Sequence, residues 1–137
     1  MKIDSIKNGI VIDHIAAGKA MRLYKLLNLD QLSCSVAVIQ NAPSEVMGKK
    51  DIIKIDSHFD VDLNVIGYIS PNVTVNIIED GHIVEKKHID LPTKLVNIIR
   101  CKNPRCITST EQGIEHIFCL DGKGRNEYRC IYCDTKA

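Results

Sequence analysis

"VTVNIIEDGHIVEKKHI" (residues 73–89) reads as two strand-like runs on either side of Asp80-Gly81. An Asp-Gly pair in that position calls for a tight hairpin. The favoured two-residue turns need positive φ, which glycine adopts without steric cost. The chain therefore carries at least one antiparallel strand pair here, and the segments before it supply the rest of the sheet.

Moving back from the hairpin, "DVDLNVIGYIS" (60–70) places Val61, Val65, Ile66 and Ile69 on one helical face, and Pro71 stops it. "DIIKID" (51–56) and "CSVAVIQN" (34–41) read as strands, with "APSEVMGKK" (42–50) as a loop between them because it holds Pro and Gly. Ala17, Ala20, Met21, Tyr24 and Leu27 recur at spacings of three and four, opposite Lys19, Arg22 and Lys25, which predicts an amphipathic helix. "GIVIDHI" (9–15) is the first strand. The order β-α-β-β-α-β-β, with two helices and a mostly antiparallel sheet, predicts an α+β domain of ferredoxin-like type over residues 1–92.

Beyond "DLPTK" (90–94), where Pro92 fixes the backbone, the pattern changes to short strands and turns such as "DGKGRNE" (121–127). This second stretch, residues 93–137, is too short to bury a sufficient core alone, so a metal staple is expected. The cysteines supply it. Cys101 and Cys106 form C-x4-C, and Cys130 and Cys133 form C-x2-C. Two tight turns each offering two thiolates match the four soft ligands that tetrahedral zinc takes. Four thiolates leave no open coordination position, so the ion is structural and not catalytic. Lys102, Arg105 and Arg129 lie beside the ligands and are placed to offset the site's negative charge. Cys34 and Cys119 sit in apolar runs and read as buried thiols.

The whole chain has 137 residues with 18 Lys and Arg against 17 Asp and Glu. Residues 1–93 carry 10 basic against 12 acidic residues, and residues 94–137 carry 8 against 5. Neither part is the basic surface that nucleic acid demands. No apolar run is long enough to span a bilayer, and "MKIDSIKNG" is not a secretory leader, so the sequence reads as cytoplasmic. In that reducing setting paired cysteines favour metal over disulfides.

"GIVIDHI", "MGKKDIIKID" (47–56), "PNVTVNII" (71–78), the "LP" before the joint and "CKNPRCI" (101–107) fall in one order with the C-x4-C…C-x2-C site. In these segments the chain resembles the aspartate carbamoyltransferase regulatory chain along essentially its whole length. The resemblance implies a non-catalytic subunit whose first domain binds CTP, UTP or ATP and whose zinc domain docks on the catalytic chain, with a second regulatory chain completing a dimer. It further implies that Asp13, Lys54 and Asn76 hold base and ribose, and that His14 and Lys86 face the phosphates. Backbone groups of Ile6 and of the hairpin near Gly81 would read the base's amino group, while Val11, Ile78 and Ile83 line the pocket. Gly81 stands where family members can carry a bulky aromatic. Asp4 and Ile6 fall in a looser part of the match.

Two other classes fit the cysteines. A zinc-ribbon nucleic-acid adaptor would need more basic charge and more aromatic residues for base stacking. A thiol oxidoreductase would need a reactive, low-pKa cysteine and no zinc. Metal content and association with a catalytic chain separate the three.

Overall fold

β1 (Gly9–Ala16) lies at the centre of a five-stranded sheet, in the order β2-β3-β1-β4-β5. A computed structural model describes residues 5–121 and 127–137, so Asp4 and the middle of the "DGKGRNE" turn lie outside the described residues. The other elements of this first unit are α1 (Ala20–Leu26), β2 (Val36–Ser44), β3 (Gly48–Ile55), α2 (Leu63–Ile69), β4 (Thr74–Glu79) and β5 (His82–His88). Every pairing is antiparallel. The fold is α+β, two helices with one antiparallel sheet.

Alternation along β1 decides what is core. Ile12 lies opposite Ile53 on one side and Val75 on the other, and Ile10 lies between Ile55 and Ile77. Ile10, Ile12, Ile53, Ile55 and Val75 are all buried, together with Ala20 and Leu23 of α1 and Val65, Ile66 and Ile69 of α2. A bulge between Ile12 and Ile15, where His14 takes a φ of 61°, resets the alternation so that Ile15 also turns inward.

α1 is shorter than its apolar spacing predicts, and its buried face is rotated. The left-handed backbone of Gly18 (φ 93°) precedes it, and Asn28 (φ 54°) follows it. Within those limits Ala20 and Leu23 point inward, Met21 is exposed, and Ala17 lies outside the helix. Its N-terminus has no capping side chain of its own. The cap comes from β3: fully buried Asp51 accepts hydrogen bonds from the amides of Gly18 (2.9 Å) and Ala20 (3.1 Å) through Oδ2, and from Asn41 (3.0 Å) through Oδ1. One carboxylate thus satisfies the helix entry and the irregular part of β2. α2 carries a local cap, Asp62 accepting from Asn64 and Val65.

The stretch 42–50, expected as a loop, is mostly paired. β2 continues to Ser44 and β3 starts at Gly48, with Pro43 opposite Lys49. Proline is admitted because β2 is an edge strand, where a missing N–H costs no ladder bond. The Asp80-Gly81 turn forms as expected, with φ of 51° and 79°.

The chain divides into two units, Met1–Leu91 and Pro92–Ala137. In the second, β6 (Lys94–Val96), β7 (Ile117–Leu120) and β8 (Tyr128–Cys130) make an antiparallel sheet, and α3 (Ile107–Thr110) is a single turn. Among its described residues Leu95, Phe118 and Tyr128 are buried apolar side chains besides the cysteines, and the Tyr128 hydroxyl donates to the Pro92 carbonyl at 2.6 Å. Cys119 is not a buried thiol. Its neighbour Phe118 points inward, so alternation turns Cys119 out between Lys94 and Arg129. Cys34 precedes β2 and is half-buried.

Asp51→Ala removes the acceptor for three amides, two of them at a helix entry. It should destabilise the first unit by roughly 2–4 kcal/mol, since orphaned buried donors carry the full desolvation cost. Urea unfolding followed by circular dichroism measures it; a loss below about 0.5 kcal/mol, the level of an ordinary surface change, would contradict the capping role.

Candidate metal centre and candidate binding cleft

In the second unit the Sγ atoms of Cys101, Cys106, Cys130 and Cys133 all lie within 4.8 Å of one another. Across the two turns Cys101 lies 3.5 Å from Cys133 and Cys106 lies 3.7 Å from Cys130. Sulfurs bound tetrahedrally to one zinc at about 2.3 Å stand about 3.8 Å apart. The donor set and its spacing therefore fit zinc, and all six cysteines of the chain are free thiols.

Local hydrogen bonding builds both turns. In the first, the Asn103 side chain accepts from Arg105 N–H (3.0 Å), the Asn103 carbonyl accepts from Cys106 N–H (3.1 Å), and Ser109 Oγ donates to that same carbonyl (2.8 Å). His116 Nδ1 accepts from Cys101 N–H at 3.2 Å, tying the turn to the start of β7. In the second, Asp134 N–H donates to the Cys130 carbonyl at 2.9 Å, and Asp134 takes a φ of 62°. Burial pushes the Cys101 thiol up to about 12 and raises Cys130 as well. Cys133 goes the other way, to about 6, because the hydroxyl and the amide of Thr135 stabilise its thiolate. A metal ion must displace the protons of the buried pair when it binds. Arg129, expected beside the thiolates as a counter-charge, is held instead by Glu127 (3.3 Å), Asp121 (3.8 Å) and Asp134 (4.0 Å).

The first unit carries a cleft of about 370 Å³ on the sheet face opposite the helices. The register explains who lines it. Lys54, Val11, Asn76 and Lys86 lie directly opposite one another on β3, β1, β4 and β5, so their side chains share a face. Ile6, Val11, Asp13, Lys54, Asn76, Ile78, Gly81 and Ile83 line the cleft, joined by Ser5 and Ile52. Lys86 and His14 do not. Lys86 is exposed one strand beyond Asn76, and His14 sits in the β1 bulge next to Asp13. A second cavity, lined by Ser35, Val36, Ala37 and Asp56, shares Ser5, Ile6 and Lys54, so Lys54 stands between the two.

The electrostatics are specific. Lys50 Nζ reaches both oxygens of Asp13, at 3.0 and 3.3 Å, and the Asp13 carboxylate also accepts the His14 amide at 2.6 Å. Asn76 Oδ1 and His14 Nδ1 are buried polar atoms without a protein hydrogen-bond partner among the described residues. Such atoms carry a desolvation cost that a ligand donor can relieve. At the hairpin tip Gly81 N–H already donates to the Lys7 carbonyl (2.9 Å), and Asp80 N–H donates to the Asn8 side chain (3.1 Å). The N-terminal segment that supplies Ser5 and Ile6 is thereby fastened to the turn. The Gly81 amide is spent on that contact. Sequence reasoning missed Lys50, Ile52 and Ser5. Lys50, Ile52 and Lys54 alternate on one face of β3, a signal hidden when 42–50 is taken as a loop.

Two family models match the chain, "Aspartate carbamoyltransferase regulatory chain, allosteric domain" over residues 1–90 and "Aspartate carbamoyltransferase regulatory chain, metal binding domain" over residues 93–137. The chain is similar to the aspartate carbamoyltransferase regulatory chain of Clostridium tetani, with 52% identity over 98% of this chain and 94% of that protein. The corresponding chain of Clostridium acetobutylicum is 50% identical over 98% and 92%. That of Bifidobacterium longum is 45% identical over 100% and 99%.

Stripping the metal, or Cys130→Ser, should unfold the second unit selectively, because the apparent free energy of a structural zinc, about 10–16 kcal/mol, exceeds what its few apolar side chains supply. Hydrogen exchange should show the amides of Leu95 and Phe118 losing protection while those of Ile12 and Ile53 keep theirs. Zinc rebinding should weaken as pH falls, because the buried pair must give up its protons, and more steeply below about 6, where Cys133 also takes one up. Retained protection at Leu95 and Phe118 in the stripped protein would contradict a structural role.

Proposed function

The chain belongs to the aspartate carbamoyltransferase regulatory chain family, and on that premise we propose that it binds nucleoside triphosphates in its first domain and docks on the catalytic chain through its second. It is a regulatory chain and not the catalytic subunit. The proposed domains are residues 1–92 and 93–137, the second holding its structural zinc through Cys101, Cys106, Cys130 and Cys133.

The observation that carries the nucleotide reading is the single cleft shared by Val11, Asp13, Lys54, Asn76, Ile78 and Ile83. Apolar Val11, Ile52, Ile78 and Ile83 offer walls for a flat base. The Asp13 carboxylate can accept from ribose hydroxyls, and the partnerless Asn76 Oδ1 can accept an N–H or O–H donor. Lys54 in the lining, with Lys50, Lys86 and His14 outside it, would offer the positive and donor groups that a triphosphate requires. CTP, UTP and ATP share the ribose and phosphates, so these contacts serve all three. Discrimination then falls to main-chain groups of Ile6 and the hairpin carbonyls. Gly81 leaves the hairpin wall without a side chain.

Docking on the catalytic chain rests on a different surface. Ile107, Ile131, Tyr132 and Val96 are exposed apolar side chains, and three of them sit on or directly after the metal-binding turns. The ion that folds the unit would also fix the side chains carried on its turns for a partner. A second regulatory chain is the other proposed partner. β2 and β5 end the sheet within the chain, and Met21, Leu26, Val46 and Met47 are exposed. No helix among the described residues is long and apolar enough to cross a membrane. We place the assembly in the cytoplasm, acting in pyrimidine biosynthesis.

The test is reconstitution with the catalytic chain, reading aspartate saturation with and without ATP and CTP. Effectors should shift the saturation curve of the wild-type assembly. Lys54→Ala should lose that response and weaken both nucleotides by roughly 1.5–3 kcal/mol, the size of a charge-assisted hydrogen bond. Unchanged affinity for both in calorimetry would return Lys54 to a solvated lysine.

A further inference from the structure

Each metal-binding turn ends in the same three-residue pattern. Cys106-Ile107-Thr108 closes the first, and Cys133-Asp134-Thr135 closes the second. In both, the threonine hydroxyl lies 3.1 Å from the sulfur two residues before it, Thr108 Oγ1 to Cys106 Sγ and Thr135 Oγ1 to Cys133 Sγ. Different backbones reach this same contact. Thr108 is in the single helical turn α3, whose N-terminus is Cys106, and it is buried. Thr135 is extended. Its carbonyl accepts Cys130 N–H at 3.0 Å, and the φ of 62° at Asp134 turns the chain back towards the sulfurs.

We infer that Thr108 and Thr135 are positioning residues of the metal centre, donating hydroxyl hydrogen bonds to one thiolate of each turn and slowing loss of the ion. The inference rests on the four-thiolate centre described above. A metal-bound thiolate has no proton to give, so in the loaded site the hydroxyl must be the donor at both contacts. Four thiolates around one divalent cation leave a formal charge of −2, and hydroxyl donors draw electron density from the sulfurs without replacing them as ligands. Outer-shell partners of this kind typically change metal affinity about 10–100-fold.

The two contacts are not equally placed. Cys101, Cys106 and Cys130 are buried, whereas Cys133 is half-exposed. Ligand loss therefore starts at Cys133, where a chelator or an electrophile can reach the sulfur, and Thr135 is the residue that restrains it. Thr108 does the same work behind a closed surface.

The experiment uses the full chain loaded with zinc or with cobalt(II). Thr135→Val keeps the shape of the side chain and removes its hydroxyl, while Thr135→Ser keeps the hydroxyl. Zinc transfer to 4-(2-pyridylazo)resorcinol should be about tenfold faster in Thr135→Val and within about twofold of wild type in Thr135→Ser. The sulfur-to-cobalt charge-transfer band should move to lower energy in Thr135→Val, because a thiolate without its donor is easier to oxidise. A structural contact alone would not move that band. Iodoacetamide should modify Cys133 before the other three, faster still in Thr135→Val. Thr108→Val is the second arm, read by the same band and the same transfer rate. Wild-type transfer and an unmoved band in Thr135→Val, or identical behaviour of the valine and serine variants, would overturn the inference. A wild-type chain that binds no cobalt would overturn the centre itself, and the inference with it.

Discussion

β1 is hydrogen-bonded on both sides, and that fixes the parity of everything around it. Pairing with β3 and β4 places Ile10 and Ile12 against Ile53, Ile55, Val75 and Ile77, and so forces Val11 and Asp13 onto the other face. A one-residue slip would bury Asp13 and expel Ile12, so the core and the cleft are one decision made by the register. The bulge at His14 is what lets both Ile12 and Ile15 be buried although they are three residues apart. The same irregularity sets His14 beside Asp13, which lines the cleft and meets Lys50.

The second unit solves a different problem. Leu95, Phe118 and Tyr128 make a small core, and a three-stranded sheet with one helical turn adds little to it. Four converging sulfurs replace the missing apolar mass with metal–ligand bonds. The exposed Ile131 and Tyr132 of the second turn then follow from the coordination. A tight turn that directs two thiolates inward directs the residues between them outward.

The sequence made the hairpin and the cysteine spacing legible because both are local. Asp80-Gly81 needs only its own backbone, and C-x4-C with C-x2-C states its ligand geometry in the chain. What was not legible depends on distant partners. The apolar spacing of 16–30 predicted a helix with Met21 inside, but the observed helix begins only at Ala20, after Gly18 turns the chain. Its cap is Asp51, 31 positions away. Lys50 was hidden by Pro43 and Gly48, which read as loop until the edge-strand position of β2 makes the proline acceptable. Cys119 read as buried from its apolar neighbours, and only the pairing of Phe118 with Cys130 shows which side of β7 is in. In the cleft, Asn76 and Lys54 share a face because each lies opposite Val11, a relation that spacing along the chain does not contain.

On the proposed reading the nucleotide cleft lies in one unit and the docking surface in the other, so regulation would be an equilibrium of the whole assembly that the nucleotide and the catalytic chain's ligand both bias. Linkage then requires reciprocity: whatever factor a nucleotide imposes on the catalytic chain's ligand, that ligand imposes on the nucleotide. The direct measurement is calorimetric titration of CTP and of ATP into the reconstituted assembly, with and without a bisubstrate analogue on the catalytic chain. The account predicts affinities that differ between the two conditions by several-fold or more, matching about 1–3 kcal/mol of coupling. Equal affinities in both conditions would contradict it, leaving a chain that binds nucleotides without regulating through them.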